Sequence, residues 1–102
     1  MSTEIIRSTT DLQKKFGKMT VGLFLKAFRE ADGLSQVGFS KKLKISRANL
    51  CDIEKGRKLI SLDRVKGFSA KIGVAQEILL KLAIQDMLER ERLNYRVELK
   101  AA

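Results

Sequence analysis

The sequence predicts an all-α protein of five short helices, and three observations carry that prediction. Apolar residues recur at three- and four-residue intervals over five separate stretches. Thr20, Ser35, Ser46 and Ser61 each stand at the head of one stretch, where a hydroxyl can accept from the free N–H groups of a first helical turn. Proline is absent and aromatics make up only 6% of the chain, which suits short helices better than a sandwich or barrel. With 102 residues there is room for one domain and little more.

Residues 1–19 read as an N-terminal extension, polar and basic, with one apolar pair, Ile5-Ile6, and a segment at Asp11–Phe16 compatible with a helical turn. A domain follows over residues 20–94. Its first helix starts at the Thr20 cap, buries Val21, Leu25 and Phe28, and ends at Asp32-Gly33. Ser35 caps the second helix, which runs to about Leu43. Ser46 caps the third, and Lys55-Gly56 closes it with the glycine left-handed. After a linker over residues 57–60, Ser61 and Asp63 start the fourth. Leu62, Val65, Phe68 and Ile72 form its buried stripe, and Gly73 stops it.

The fifth helix, from about Ala75 to Leu93, is too apolar for an outer helix of a small domain. Ile78, Leu79 and Leu82 suit the interior, whereas Leu80, Ile84, Met87 and Leu88 lie on another flank. A second apolar face on so short a chain marks an association surface. Residues 95–102 form a tail in which Tyr95-Arg96-Val97-Glu98-Leu99-Lys100 alternates with period two, a strand pattern. A lone strand has no stability of its own. It pairs with a symmetry mate, with the Ile5-Ile6 region or with another protein, or it is a frayed tail. Pairing across a twofold homodimer is the favoured expectation, through Leu80, Ile84, Met87, Leu88, Tyr95, Val97 and Leu99.

Within this frame, residues 36–55 are two helices joined by a tight turn. Phe39 and Leu43, then Ile45, then Leu50 and Ile53 supply the apolar positions that two steeply crossing helices need. The rest of the later helix is polar or small, which is the division of labour of a helix-turn-helix reader of duplex DNA. The net charge of +9 is centred there: +2 over residues 1–20, +5 over 21–60 and +2 over 61–102. Charge of this sign and placement fits a nucleic acid partner.

Enzymatic function is poorly supported. With no histidine and one cysteine, Cys51, the chain cannot build a zinc cluster, a Ser-His-Asp triad, a Cys-His pair or an internal disulfide. The glycines are scattered, so no phosphate loop appears. Glu89 and Glu91 lie two apart on a helix and point in different directions, which argues against a nuclease. RNA stacking is disfavoured by the scarcity of aromatics. Cys51 suits small apolar packing better than a redox switch. The expectation is no metal, no cofactor, no small-molecule ligand and no catalytic residue. The absence of any eighteen-residue apolar run or greasy leader adds the expectation of a soluble, cytoplasmic protein of bacterial or phage type, without a membrane partner.

The segment Leu25 to Gly73 resembles the Cro/C1-type helix-turn-helix regulators, the XRE family. The resemblance rests on Leu34-Ser35-Gln36, small Ser40, Ile45-Ser46 at the turn and Ile53-Glu54-Lys55-Gly56-Arg57. It spans about half the chain and implies a five-helix repressor-like bundle. Lys18-Met19-Thr20 and the strand-like end look like an antitoxin subgroup, which would add a toxin partner. The resemblance implies that Arg29 and Glu54 form a structural ion pair, worth about 0–1 kcal/mol if exposed. It also implies base contacts from Arg47 and Ala48, flanked by Ser46 and Asn49, with Asp52 one turn on. Arg47 fits guanine's paired acceptors, with a phosphate clamp as the alternative. Gln36, Lys44, Lys55, Arg57 and Lys58 are the expected phosphate contacts.

Two positions depart from the family pattern. Lys44 stands where the turn usually has glycine, and Gly38 stands inside the second helix; each costs on the order of 1 kcal/mol. The expected function is a dimeric repressor of an inverted-repeat operator; the alternative is an antitoxin that also masks a toxin. No separate sensing or self-cleaving domain fits beside the bundle, which favours the antitoxin modestly.

Overall fold

Among the described residues, four of five helices begin on a hydroxyl. The computed structural model describes residues 19–102. In it α1 (Val21–Ala31) starts with Thr20 Oγ1 accepting from the Leu23 N–H at 3.1 Å. At α2 (Gln36–Leu43), Ser35 Oγ accepts from Gly38 at 3.0 Å. At α3 (Arg47–Glu54), Ser46 Oγ accepts from Asn49 at 3.0 Å. At α4 (Leu62–Ile72), Ser61 Oγ accepts from Arg64 at 3.2 Å. Of the described helices, α5 (Gln76–Arg90) alone has no side-chain cap. These bonds satisfy first-turn N–H groups that the helices themselves cannot.

The helices close around a core of Val21, Leu25, Phe39, Leu43, Leu50, Ile53, Ile60, Val65, Phe68, Ile72, Leu79 and Ala83. Packing runs α1 on α3 and α5, α2 on α3 and α4, and α4 on α5. Phe28 stacks on Phe39 with ring centroids 6.2 Å apart. Polar side chains tie helix ends across the bundle. Asp86 Oδ2 of α5 accepts from the Val21 N–H at 3.0 Å, a carboxylate at the positive end of α1. Lys71 Nζ donates to the Leu43 carbonyl at 3.2 Å, at the negative end of α2.

Two backbone positions fix where α3 sits. Gly22 lies so close beneath the end of α3 that an added Cβ would stand 2.2 Å from the Ile53 carbonyl oxygen. Lys44 closes α2 in the left-handed region, at φ 59° and ψ 44°, and the chain turns into α3 from there. The strain of a β-carbon in that region is accepted at the position where the family pattern has glycine.

Several sequence expectations need correction. Leu62 is half exposed rather than in the buried stripe of α4, because its first-turn side chain leans past the end of the core. Ile78 is also half exposed: Leu79 and Ala83 define the inner line of α5, and Ile78 stands about 100° round from Leu79. Leu80, assigned to the outer flank, packs against the molecule's own core. The last helix is shorter than expected, ending at Arg90, with Arg92 left-handed at φ 56°. No strand forms among the described residues, so the C-terminal strand is absent from the single chain: beyond Arg90 the chain has no regular secondary structure. A strand needs a neighbouring backbone, and the described residues supply none. The Ile5-Ile6 pair and the turn at Asp11–Phe16 lie outside the described residues.

Gly22→Ala drives a methyl group into the backbone of α3 and should destabilise the fold by at least about 1–3 kcal/mol. Gly38→Ala meets nothing nearer than Ser35 Oγ at 3.4 Å, an ordinary contact. It should stabilise by about 0.5–1 kcal/mol, so urea midpoints of the two variants should move in opposite directions.

Candidate nucleic-acid interface

Helix α3 is anchored from behind and open in front. Leu50 and Ile53 are at most 1% exposed, while Ser46, Arg47 and Ala48 at its N-terminal end are exposed. Asn49, Cys51 and Asp52 are part-buried. A chain of polar contacts holds this face against α1 and α2. The Arg47 guanidinium donates to Gln36 Oε1 at 3.3 Å, and Gln36 Nε2 donates to Glu54 Oε1 at 3.1 Å. Glu54 also takes Arg29 in a two-pronged bond, Nε to Oε2 at 2.8 Å and Nη2 to Oε1 at 3.1 Å. Arg29 Nη1 completes the chain on the Leu34 carbonyl at 3.1 Å.

The Arg29–Glu54 pair is more deeply set than the surface pair considered from sequence. Its side chains are 13% and 3% exposed. The hydrogen bond to Glu54 raises the Arg29 pKa above its ordinary value, outweighing the opposing effect of burial. Losing one partner of such a pair is costly because the other charge is left in a dry site.

At the far end of α3 the side chains pair among themselves. Asp52 Oδ1 accepts from Arg57 Nη1 at 3.2 Å, and Asn49 Oδ1 accepts from Lys58 Nζ. The loop is also folded onto α3 through its backbone, because the Arg57 and Lys58 N–H groups both donate to the Asp52 carbonyl. Lys44 and Lys55 are exposed at the C-terminal ends of α2 and α3. Thus Gln36, Lys44, Ser46, Arg47, Ala48, Asn49, Asp52, Lys55, Arg57 and Lys58 all come from α2, α3, the turn between them or the loop after α3. Sequence reasoning missed one organising residue. Arg90, at the end of α5, donates through Nη2 to the Gly56 and Arg57 carbonyls at 3.3 and 3.2 Å. Nothing in the local sequence of either segment signals that contact.

The residues assigned to self-association are placed unevenly. Leu80 is occupied by the core; Ile84, Met87, Leu88 and Val97 are part-buried; Tyr95 and Leu99 are exposed. The tail lies beside α5, where Gln85 Nε2 donates to the Tyr95 carbonyl at 2.8 Å and Gln85 Oε1 accepts from the Val97 N–H at 2.9 Å.

Two short helices crossing on a buried core, the second with an open polar face and a basic loop behind it, define a helix-turn-helix class of DNA-binding regulator. The chain belongs to the helix-turn-helix domain family, whose model matches residues 20–80, from the α1 cap into α5. No curated protein and no solved structure matches the chain. Members of this family act through duplex DNA and are generally not enzymes. No helix among the described residues is long and apolar enough to cross a membrane.

Glu54→Ala leaves Arg29 largely buried without its counter-charge and releases Gln36. The expected cost is about 3 kcal/mol, read from the shift of the urea midpoint. Lys42→Ala removes only an exposed 3.8 Å contact to Asp32 and should move the midpoint little.

Proposed function

We propose that this protein is a dimeric, sequence-specific binder of duplex DNA that represses transcription from a short inverted-repeat operator. The observation that carries the reading is the two-sidedness of α3: Leu50 and Ile53 are sealed inside while Arg47 and Ala48 at its leading end are open. A helix so presented enters the major groove with its N-terminal end first, where its dipole favours phosphate.

In this reading Arg47 addresses the O6 and N7 acceptors of a guanine, and Ala48 meets a thymine methyl. Ser46 and Asn49 flank them. Asp52 accepts from a cytosine amine, with its repulsion of phosphate offset by Arg57. Gln36 at the start of α2 and Lys44, Lys55, Arg57 and Lys58 around α3 take the backbone phosphates. Arg29 and Glu54 touch no DNA and hold α3 to the scaffold.

One half-site offers few base contacts, so a single copy binds weakly and two copies bound about 34 Å apart supply specificity. Occupying such a site over a promoter excludes polymerase, which makes repression the direct outcome. The antitoxin reading shares the same DNA interface and adds a protein partner. The geometry of α3 gives it no separate support.

Selection of duplexes from a random pool, followed by binding to the selected and scrambled sequences, tests this assignment. Arg47→Ala should lose about 1–3 kcal/mol of discrimination at one base pair of each half-site. Lys58→Ala should weaken all duplexes about equally and reduce the slope of log K against log salt by about one unit. Identical behaviour of both variants on selected and scrambled DNA would overturn the division of roles.

A further inference from the structure

The tail beyond α5 is engaged along one side of its backbone, and among the described residues the N–H groups of its other side have no partner. Gln85 bonds to the Tyr95 carbonyl and the Val97 N–H, two groups that share an edge when the backbone is extended. It bonds around Arg96 as a residue of a neighbouring parallel strand would. The inner edge of the tail is therefore taken up by a side chain that mimics backbone. In an extended backbone residues 96 and 98 direct their N–H and C=O groups to the opposite edge, and neither donates its N–H to any described residue.

That outer edge is self-complementary. We infer that two copies of this chain join by antiparallel pairing of their tails, with Val97 opposite Val97 on the twofold axis. The inference deepens the dimeric reading above and rests on it. Placing the axis at Val97 sets Arg96 opposite Glu98 twice, once on each side, and Tyr95 opposite Leu99 twice. Those charged pairs are also the ones whose backbones face outward, so they exchange hydrogen bonds, and Val97 is the non-bonded pair at the centre. An axis at residue 96 opposes arginines, and an axis at residue 98 opposes glutamates. An axis at residue 99 pairs Glu98 with Lys100 but sets Arg96 opposite Ala102, so that arginine loses its counter-charge.

The partner's identity follows from this complementarity of charge, backbone and apolar face together. Tyr95, Val97 and Leu99 share one face of the resulting ribbon. Leu99 already lies beside Ile78 across a groove lined by Glu77, Lys81, Glu98 and Lys100. Both residues are substantially exposed in the single chain.

Charge reversal reads the register directly. By light scattering of the full chain at micromolar concentration, the unmodified protein should be a dimer. Arg96→Glu alone and Glu98→Arg alone each place like charges opposite one another twice, and each should weaken self-association at least about tenfold. An equimolar mixture of the two should recover the dimer, because every cross-strand pair is then opposite in sign. The double reversal in one chain should also recover it, and Lys100→Glu should leave it intact. All three substituted positions are exposed, so helicity by circular dichroism should be unchanged. A monomeric unmodified protein, single variants that stay dimeric, or a mixture that stays monomeric would each overturn the proposal. Binding to random duplex DNA, measured in parallel, separates the two readings. Loss of DNA binding with dimers intact counts against the proposed function alone, and intact DNA binding with failed mixing counts against the tail pairing alone.

Discussion

The two-pronged bond between Arg29 and Glu54 is the constraint on which the interface depends. It joins α1 to the last residue of α3, so the orientation of α3 is set by a directional contact as well as by apolar packing. Apolar packing of Leu50 and Ile53 fixes depth but leaves some freedom to rotate and slide. The planar guanidinium fork removes much of that freedom. Gln36 and then Arg47 extend the same chain to the open face, so the candidate base reader is held at the end of a line that begins in the scaffold. Gly22 completes the arrangement by letting the backbone of α1 approach the end of α3 where a β-carbon could not.

Much of the bundle was legible because its signals are local. The four hydroxyl caps and the glycine ends at Gly56 and Gly73 each depend on a few consecutive residues, whereas the left-handed turn at Lys44 came only from the family resemblance. Val21, Leu25, Phe39, Leu43, Leu50 and Ile53 followed from spacing, since a short helix with one apolar stripe has one way to face a core, although Phe28, expected inside, is only part-buried. The last helix was harder for the same reason in reverse. Its apolar residues surround much of the axis, so periodicity alone did not decide that Leu79 and Ala83 face inward and Ile78 does not. Contacts between distant segments, such as Arg90 on the Gly56 and Arg57 carbonyls or Asp86 on the Val21 N–H, left no trace in the local pattern. The ion pair was legible from the family pattern, but its burial was not.

The tail shows how a period-two pattern can be present without a strand. Alternation of Tyr95, Val97 and Leu99 with charged residues describes which sides a chain would present if extended. It does not supply a neighbour. In one copy that part falls to Gln85, which engages Tyr95 and Val97 and leaves the intervening residue facing away.

Arg90 gives this small molecule a mechanical property. It sits on the same helix as Gln85, and its guanidinium grips the carbonyls of the loop that carries Arg57 and Lys58. The end of the final helix is thereby joined to the cationic loop by two exposed hydrogen bonds from a single side chain. One helix therefore touches two separate parts of the molecule, the tail through Gln85 and the basic loop after α3 through Arg90.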